Sequence, residues 1–322
     1  MAKANNVTQR ENNVASGSRL EYQRRVFDIL SDKWVMGVLT IVPATLLFIF
    51  VNVIPIGWAV AAGFFEISAF SPVWHWAGLS NYQQILTNSE FWATIRRSLV
   101  FAGGSVAIQL VVGTGFALLL NRTFRGSTFV RAIMMLPYLI PTAILGFIAL
   151  WMGNSQFGII NQVLVSLGLI TEKFPWYGNE STAMIAVIIT NSWKFSIFVT
   201  IMVLARLQSI PSGLYEAAEV MGATPYERFR DVTLPNLKGV IFIVFLLRGI
   251  WMFNKFDIIY VLTQGGPRGI TTTAPIYAYK VAFNQLQLGY AAAISTLLFV
   301  MLIAGAIIYF HVLEPEQEVR VE

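Results

Sequence analysis

Four ionisable side chains, Lys194, Arg248, Lys255 and Asp257, stand in stretches that are otherwise apolar. A charge in such a run is costly, so it pairs or lines a cavity. Lys194 lies about 12 residues into its run, roughly 18 Å along a helix, and Arg248 about 9 residues into its own, roughly 14 Å along. Both positions fall near the middle of a bilayer crossing, with Lys255 and Asp257 closer to one end. Three cations against one acid leave a net positive interior, which suits an anionic ligand. Asn191, Trp193, Phe253 and Asn254 flank them, amides that suit hydroxyl groups and aromatic faces that suit the apolar side of a sugar ring. A plainer account stands beside this one. Lys255 can snorkel to headgroups, Asp257 can cap exposed backbone, and Arg248 can pair with a second subunit.

A second constellation lies on the polar island Ser209–Pro235, between two long apolar runs. Its spacing predicts two short helices joined by a turn. The first begins at Ser212 as N-cap and ends at Gly222, the residue that best accepts a left-handed C′ conformation. Leu214, Ala217, Ala218 and Met221 then share a face, with Glu216 and Glu219 elsewhere on the surface. The second begins at Thr224 as N-cap, with Pro225 at the first helical position and Glu227 completing a capping box. It is expected to stop near Pro235. A helical finger with two small alanines suits insertion into a groove on a soluble partner, the alternative being a loop helix that packs on its own bundle.

Other chemistry is excluded. The chain has no cysteine, which rules out disulfides and thiolate chemistry. Its two histidines, His75 and His311, are far apart and are expected on opposite membrane sides, so no metal site or catalytic pair forms from them. Neither G-x-x-x-x-G-K-[ST] nor H-E-x-x-H occurs. The pI near 9.5 reflects where the basic residues lie and not a nucleic-acid footprint.

Composition gives the scaffold. Of 322 residues, 56% are hydrophobic and 12% charged, with mean hydropathy +0.64, whereas soluble domains are about a quarter charged. Six runs are long enough to cross a bilayer, which takes about 20 apolar residues: 35–65, 98–120, 132–152, 182–205, 239–262 and 289–312. The first is overlong and contains Pro43 and Pro55, which predicts a kink or strong tilt. Glycines 103, 104, 113 and 115 of the second are expected to allow close helix packing. Ahead of the runs, 1–17 is polar and aperiodic. Residues 18–33 are expected to form an amphipathic helix, Leu20, Phe27 and Leu30 among basic residues, suited to an anionic leaflet, the alternative being a solvated helical extension of the first span. The division is thus 1–33 tail and interfacial helix, 34–312 membrane domain with its polar loop over 206–238, and 313–322 tail. With both termini inside, outer segments hold only Arg96, Arg97, Lys173, Arg268 and Lys280 of the 22 basic residues. The positive-inside rule therefore puts both termini and the Glu216 loop in the cytoplasm.

The polar island also carries a family resemblance. Glu216-Ala217-Ala218, three residues, Gly222, nine residues, Val232, one residue and Leu234-Pro235 resembles the E-A-A loop of permease subunits of bacterial ATP-binding-cassette importers, with Val232 where isoleucine is usual. Gly78-Leu79-Ser80-Asn81-Tyr82 with Phe91-Trp92, Leu136-Pro137-Tyr138 with Pro141, Phe253-Asn254-Lys255-Phe256-Asp257, and Gly265-Gly266-Pro267 are similar in order and spacing to sugar permeases of the maltose-importer type. Within that branch the pattern resembles the alginate importer permease, which moves acidic uronate oligosaccharides. The short loop 66–97 departs from permeases that carry a folded periplasmic insert.

The resemblance implies an all-α polytopic membrane protein, a type I importer permease bundle of six transmembrane helices in the bacterial inner membrane. It implies that Glu216, Ala217, Ala218, Gly222, Val232, Leu234 and Pro235 form the coupling helix. It places sugar contacts on Asn191, Trp193, Lys194, Phe253 and Asn254, with Phe195 where the family often has a small residue. The implied partners are a second related permease, two copies of a cytoplasmic ATPase that bind ATP and magnesium, and a periplasmic solute-binding protein. No cofactor falls on this chain, which is then no enzyme by itself. Two alternatives stay open: a permease for neutral sugars, and a stand-alone secondary transporter using Lys194, Arg248 and Asp257 as a charge relay.

Overall fold

The computed structural model describes residues 33–68, 70, 73–122 and 125–313. The interfacial helix expected over 18–33 and the tail over 313–322 thus lie outside the described residues, apart from Lys33 and Leu313. Among the described residues five helices are long and apolar enough to cross a membrane, and a bent pair makes a sixth.

The first run lies mostly in a separate unit that ends at Ala61. It forms α1 (Lys33–Phe48), a π-helical turn (Ile49–Val53) and α2 (Ile54–Ala62). Pro43 sits inside α1, and the Ile54 N–H reaches back to the Ile49 carbonyl. A π turn between two prolines is where the expected irregularity falls.

The second unit is built on α4 (Ser89–Leu120) and α8 (Ala183–Ser209), its most extensive helix pair, with α11 (Leu234–Phe253) against both. Gly113 explains the closeness of the first two. A Cβ there would stand 2.6 Å from Val199 Cβ and 2.7 Å from the Ser196 carbonyl oxygen. Gly104 meets only the tip of Ile188, and Gly103 and Gly115 face open space, so one of the four glycines makes a backbone approach. Phe101, Val106, Val187, Met252 and Ile294 are among the side chains of one buried cluster, and Ala117, Val199, Val203, Leu237 and Val244 belong to a second. Between the helices runs a buried polar seam that includes Ser105, Gln109, Asn191 and Ser192.

Smaller elements complete the unit. β1 (Phe65–Glu66) pairs antiparallel with β2 (His75–Trp76), followed by α3 (Ser80–Thr87). Asn81 Nδ2 donates to the Gly63 and Phe65 carbonyls, both at 3.0 Å. α7 (Ile159–Ser166) carries Asn161, whose amide satisfies the carbonyls of Asn154 and Phe174, the Phe174 N–H and the Trp176 indole. α14 (Leu288–Leu313) is the last span.

Two expectations need correction. The third run does not cross straight: α5 (Ser127–Leu139) and α6 (Thr142–Met152) meet at 92°. Ile140 precedes Pro141, whose ring disfavours helical backbone at the residue before it, and Ile140 is extended at ψ 126. The fifth run likewise ends at Phe253 and restarts as α12 (Asp257–Thr263).

Candidate functional site

The break at Ile140 leaves that carbonyl outside either helix, and Lys194 of α8 fills the need. Its ammonium donates to the Ile140 carbonyl and, at 3.2 Å, to Thr142 Oγ1. The next residue, Phe195, lends its ring to three cations. Lys194 Nζ lies 5.3 Å from the ring centroid, the Arg248 guanidinium carbon 4.7 Å and Lys255 Nζ 4.5 Å. Tyr138 meets the same ring edge-on.

Arg248 is 1% exposed. Its Nε donates to Gln109 Oε1 at 2.7 Å, and its guanidinium also lies over the rings of Phe198 and Trp251. Met252 Sδ accepts from Gln109 Nε2 at 3.4 Å and Asn191 Nδ2 at 3.0 Å, with Arg248 Nη2 at 3.6 Å. Asn191 thereby joins the cluster, and its buried Oδ1 has no partner among the described residues. Lys255 pairs with Asp257 at 2.9 Å. Among the described residues no carboxylate lies within ion-pair distance of Lys194 or Arg248. Ring quadrupoles, worth about 2 kcal/mol each when desolvated, and neutral oxygens hold those two charges. Such groups stabilise a cation without neutralising it, so the positive charge of Lys194 and Arg248 is not cancelled by a carboxylate among the described residues.

The remaining sequence-predicted residues divide. Trp193 is 54% exposed and Asn254 is exposed at the end of α11. Phe253 turns inward and lines an apolar groove of about 320 Å³ with Gly103, Gly249 and Gly305. Gln109, Met252, Phe198, Trp251 and the Ile140 carbonyl belong to the cluster but escaped the sequence reading. Gln109 was open to notice as a lone amide in an apolar run; the rest carried no local mark.

The polar island forms α9 (Ser212–Val220). Pro211 occupies its N-cap position, one residue before the expected Ser212. Gly222 is left-handed at φ 81; its N–H reaches the Glu219 carbonyl, and that of Ala223 reaches Ala218. This is the paired closure of a Schellman motif. α10 (Pro225–Glu227) begins with the capping box, Thr224 N–H to Glu227 Oε2 at 2.7 Å and Glu227 N–H to Thr224 Oγ1 at 3.3 Å. The expected stop at Pro235 does not occur. A π-helical stretch (Arg228–Thr233) carries the helix into α11, with the Leu234 N–H on the Phe229 carbonyl. That wider turn accommodates the proline, while Asn236 Nδ2 and Thr233 Oγ1 take the carbonyls of Val232 and Arg228. Glu216 and Ala217 are exposed, and the finger tip shows Val220 at 90% and Met221 at 85%. Tyr215 to Thr233 (3.1 Å) and Arg228 to Glu219 (3.3 Å) brace it from behind.

Residues 109–316 match the model of a family described as binding-protein-dependent transport system inner membrane component. The trehalose/maltose transport system permease protein MalF of Thermococcus litoralis is 36% identical over 282 residues, 86% of this chain and 93% of that protein. The sulfoquinovosyl glycerol transport system permease protein SmoG of Agrobacterium fabrum is 33% identical over 279 residues, 86% of this chain and 90% of that protein. In backbone, the chain superposes with TM-score 0.77 on a chain from the crystal structure of a bacterial ABC transporter involved in the import of the acidic polysaccharide alginate, at 21% identity and covering 91% and 100% of the two chains. A family match over more than half the chain, relatives aligned nearly end to end and a shared bundle agree: the chain belongs to the binding-protein-dependent transport system inner membrane components, the permease subunits of ABC transporters.

Proposed function

We propose that the protein is the translocating subunit of an importer for acidic oligosaccharides of the uronate type. The observation that carries the reading is the cation excess on the Phe195 ring, three basic groups against Asp257 alone. Relatives named for trehalose/maltose and for sulfoquinovosyl glycerol support sugar as the substrate class; the acid preference rests on the cluster. A carboxylate entering between Lys194 and Arg248 would take up the charge that neutral oxygens only share. The exchange must stay modest in energy, since an importer releases what it binds.

The exposed finger Ser212–Val220 with Gly222 suits docking into a cytoplasmic ATPase subunit. Glu216 faces cationic groups on a groove rim, and Ala217 and Ala218 allow close approach. Closure of two such ATPases on ATP would draw the fingers of this chain and a second permease together. The bundles would then rock between inward-open and outward-open states about the sugar, which a periplasmic binding protein delivers. Val232, Leu234 and Pro235 link the finger to α11 through the π turn, a stiff route from the ATPase to Arg248.

This arrangement needs both termini in the cytoplasm. A cysteine at Gly178 is expected to react with an impermeant maleimide from outside intact spheroplasts and one at Thr224 is not; the reverse pattern overturns the orientation. Co-expression with neighbouring genes is expected to give a complex of one copy of this chain, one second permease and two ATPases. A chain that purifies alone and transports without ATP would instead be the secondary transporter.

A further inference from the structure

Beyond Lys255 a row of aromatic rings leads away from the cation cluster. Phe256 stacks on Tyr260 (centroids 5.0 Å, planes at 18°), and both meet Tyr279 at 5.0 Å. Tyr279 in turn meets Phe283 at 4.8 Å. The rings come from four places: the turn before α12, α12 itself, the short α13 (Ala274–Tyr279), and the π-helical stretch Lys280–Asn284. Phe256, Tyr260 and Tyr279 are all half-buried, the first two packed against the buried core, and Phe283 is 62% exposed. The row therefore runs from the exposed Phe283 through three half-buried rings, and its far end adjoins Lys255, whose ammonium lies on the Phe195 ring.

An interfacial belt alone does not account for this order. Belt aromatics sit at headgroup level with their rings in the interface, whereas these lie in contact, each on the next.

We propose that Phe256, Tyr260, Tyr279 and Phe283 form an approach track on which successive pyranose rings lie before the reducing or non-reducing end reaches the cation cluster. The flat apolar side of a pyranose matches an aromatic edge or face, and the Tyr260 and Tyr279 hydroxyls, with the exposed amides of Asn284 and Gln285 that follow Phe283, suit its hydroxyl groups. Contact between the flat apolar face of a sugar and an aromatic ring needs no fixed hydrogen-bond partner, so a chain can shift along successive rings. The track therefore reads chain length and not the acid group. It rests on the sugar reading above.

Length dependence supplies the test. In proteoliposomes holding the complete transporter with its binding protein, Phe283→Leu or Tyr279→Leu is expected to lower uptake of a uronate tetrasaccharide about tenfold. The matching disaccharide, short enough to rest on the cation cluster alone, keeps its rate within about twofold. Phe283→Trp, which retains a ring, restores the tetrasaccharide. Because Phe283 is exposed, its replacement leaves the core intact, and basal ATP hydrolysis checks assembly. Equal loss for the two lengths, or no loss for either, overturns the track while leaving the importer reading in place. A wild-type complex that takes up neither sugar overturns both.

Discussion

Arg248→Met is expected to cut uptake of a uronate oligosaccharide by about two powers of ten while lowering the stability of the protein only modestly. The two halves of that expectation have separate causes. Methionine fills the guanidinium's space among Phe195, Phe198 and Trp251, and replacing a buried charge with a well-packed apolar side chain is often neutral or stabilising. The cost that remains is Gln109 Oε1, which loses its 2.7 Å donor and with it about 1–3 kcal/mol. A second change, Gln109→Leu, removes that orphan and is expected to return the melting temperature in detergent to the wild-type value. Transport should not return with it, because removing one partner of a buried charge pair costs about 2–5 kcal/mol, much of it from the carboxylate left unpaired. Arg248→Lys is expected to recover little, since an ammonium cannot span Gln109 and a ligand with the fixed fork of a guanidinium. Restored transport in the methionine–leucine double variant would make Arg248 a packing residue.

Gly222→Val is expected to abolish the stimulation of ATP hydrolysis by loaded binding protein while membrane insertion and complex formation persist. At φ 81 nothing lies within 4 Å of the position a Cβ would take, so crowding plays no part and backbone strain decides. An L-residue in the left-handed region costs about 1–2 kcal/mol, and a β-branched one more. Relief of that strain opens the Schellman closure at Glu219 and Ala218 and swings Val220 and Met221 from the finger tip. Gly222→Asn, which tolerates the left-handed region, should keep most of the stimulation. Wild-type stimulation in the valine variant would mean that the finger's shape does not matter to coupling.

Both predictions draw on features that differed in how far the sequence disclosed them. The finger's caps were legible because they are local: Thr224 and Glu227 lie three residues apart, and Gly222 is marked by its type alone. Pro235 misled, since a proline predicts a stop unless the preceding turn widens, and nothing in the run Arg228–Thr233 announces a π turn. Pro141 was visible inside the third run, but the 92° break depends on how α6 packs against α12. The three cations were plain as charges in apolar surroundings. Their convergence on Phe195 was not, because Phe195 lies on α8 while Arg248 lies on α11 and Lys255 just beyond it, and only tertiary packing joins them. Phe253 shows the converse: its aromatic type suggested a sugar face, and the register of α11 turns it into the apolar groove.

The acid preference is tested most directly by comparing a uronate oligosaccharide with a neutral glucan of equal length, in wild type and in Lys194→Met, as ATP hydrolysis and uptake by the reconstituted complex with each sugar on a binding protein that accepts it. Lys194 spends its ammonium on the Ile140 carbonyl and Thr142, neutral partners that a carboxylate can displace. The account predicts that wild type favours the uronate and that the methionine variant loses uronate uptake about tenfold or more while the low rate for glucan hardly changes. Equal loss for both sugars would assign Lys194 to holding the broken third span, and robust wild-type uptake of the glucan alone would contradict the acidic-substrate account outright.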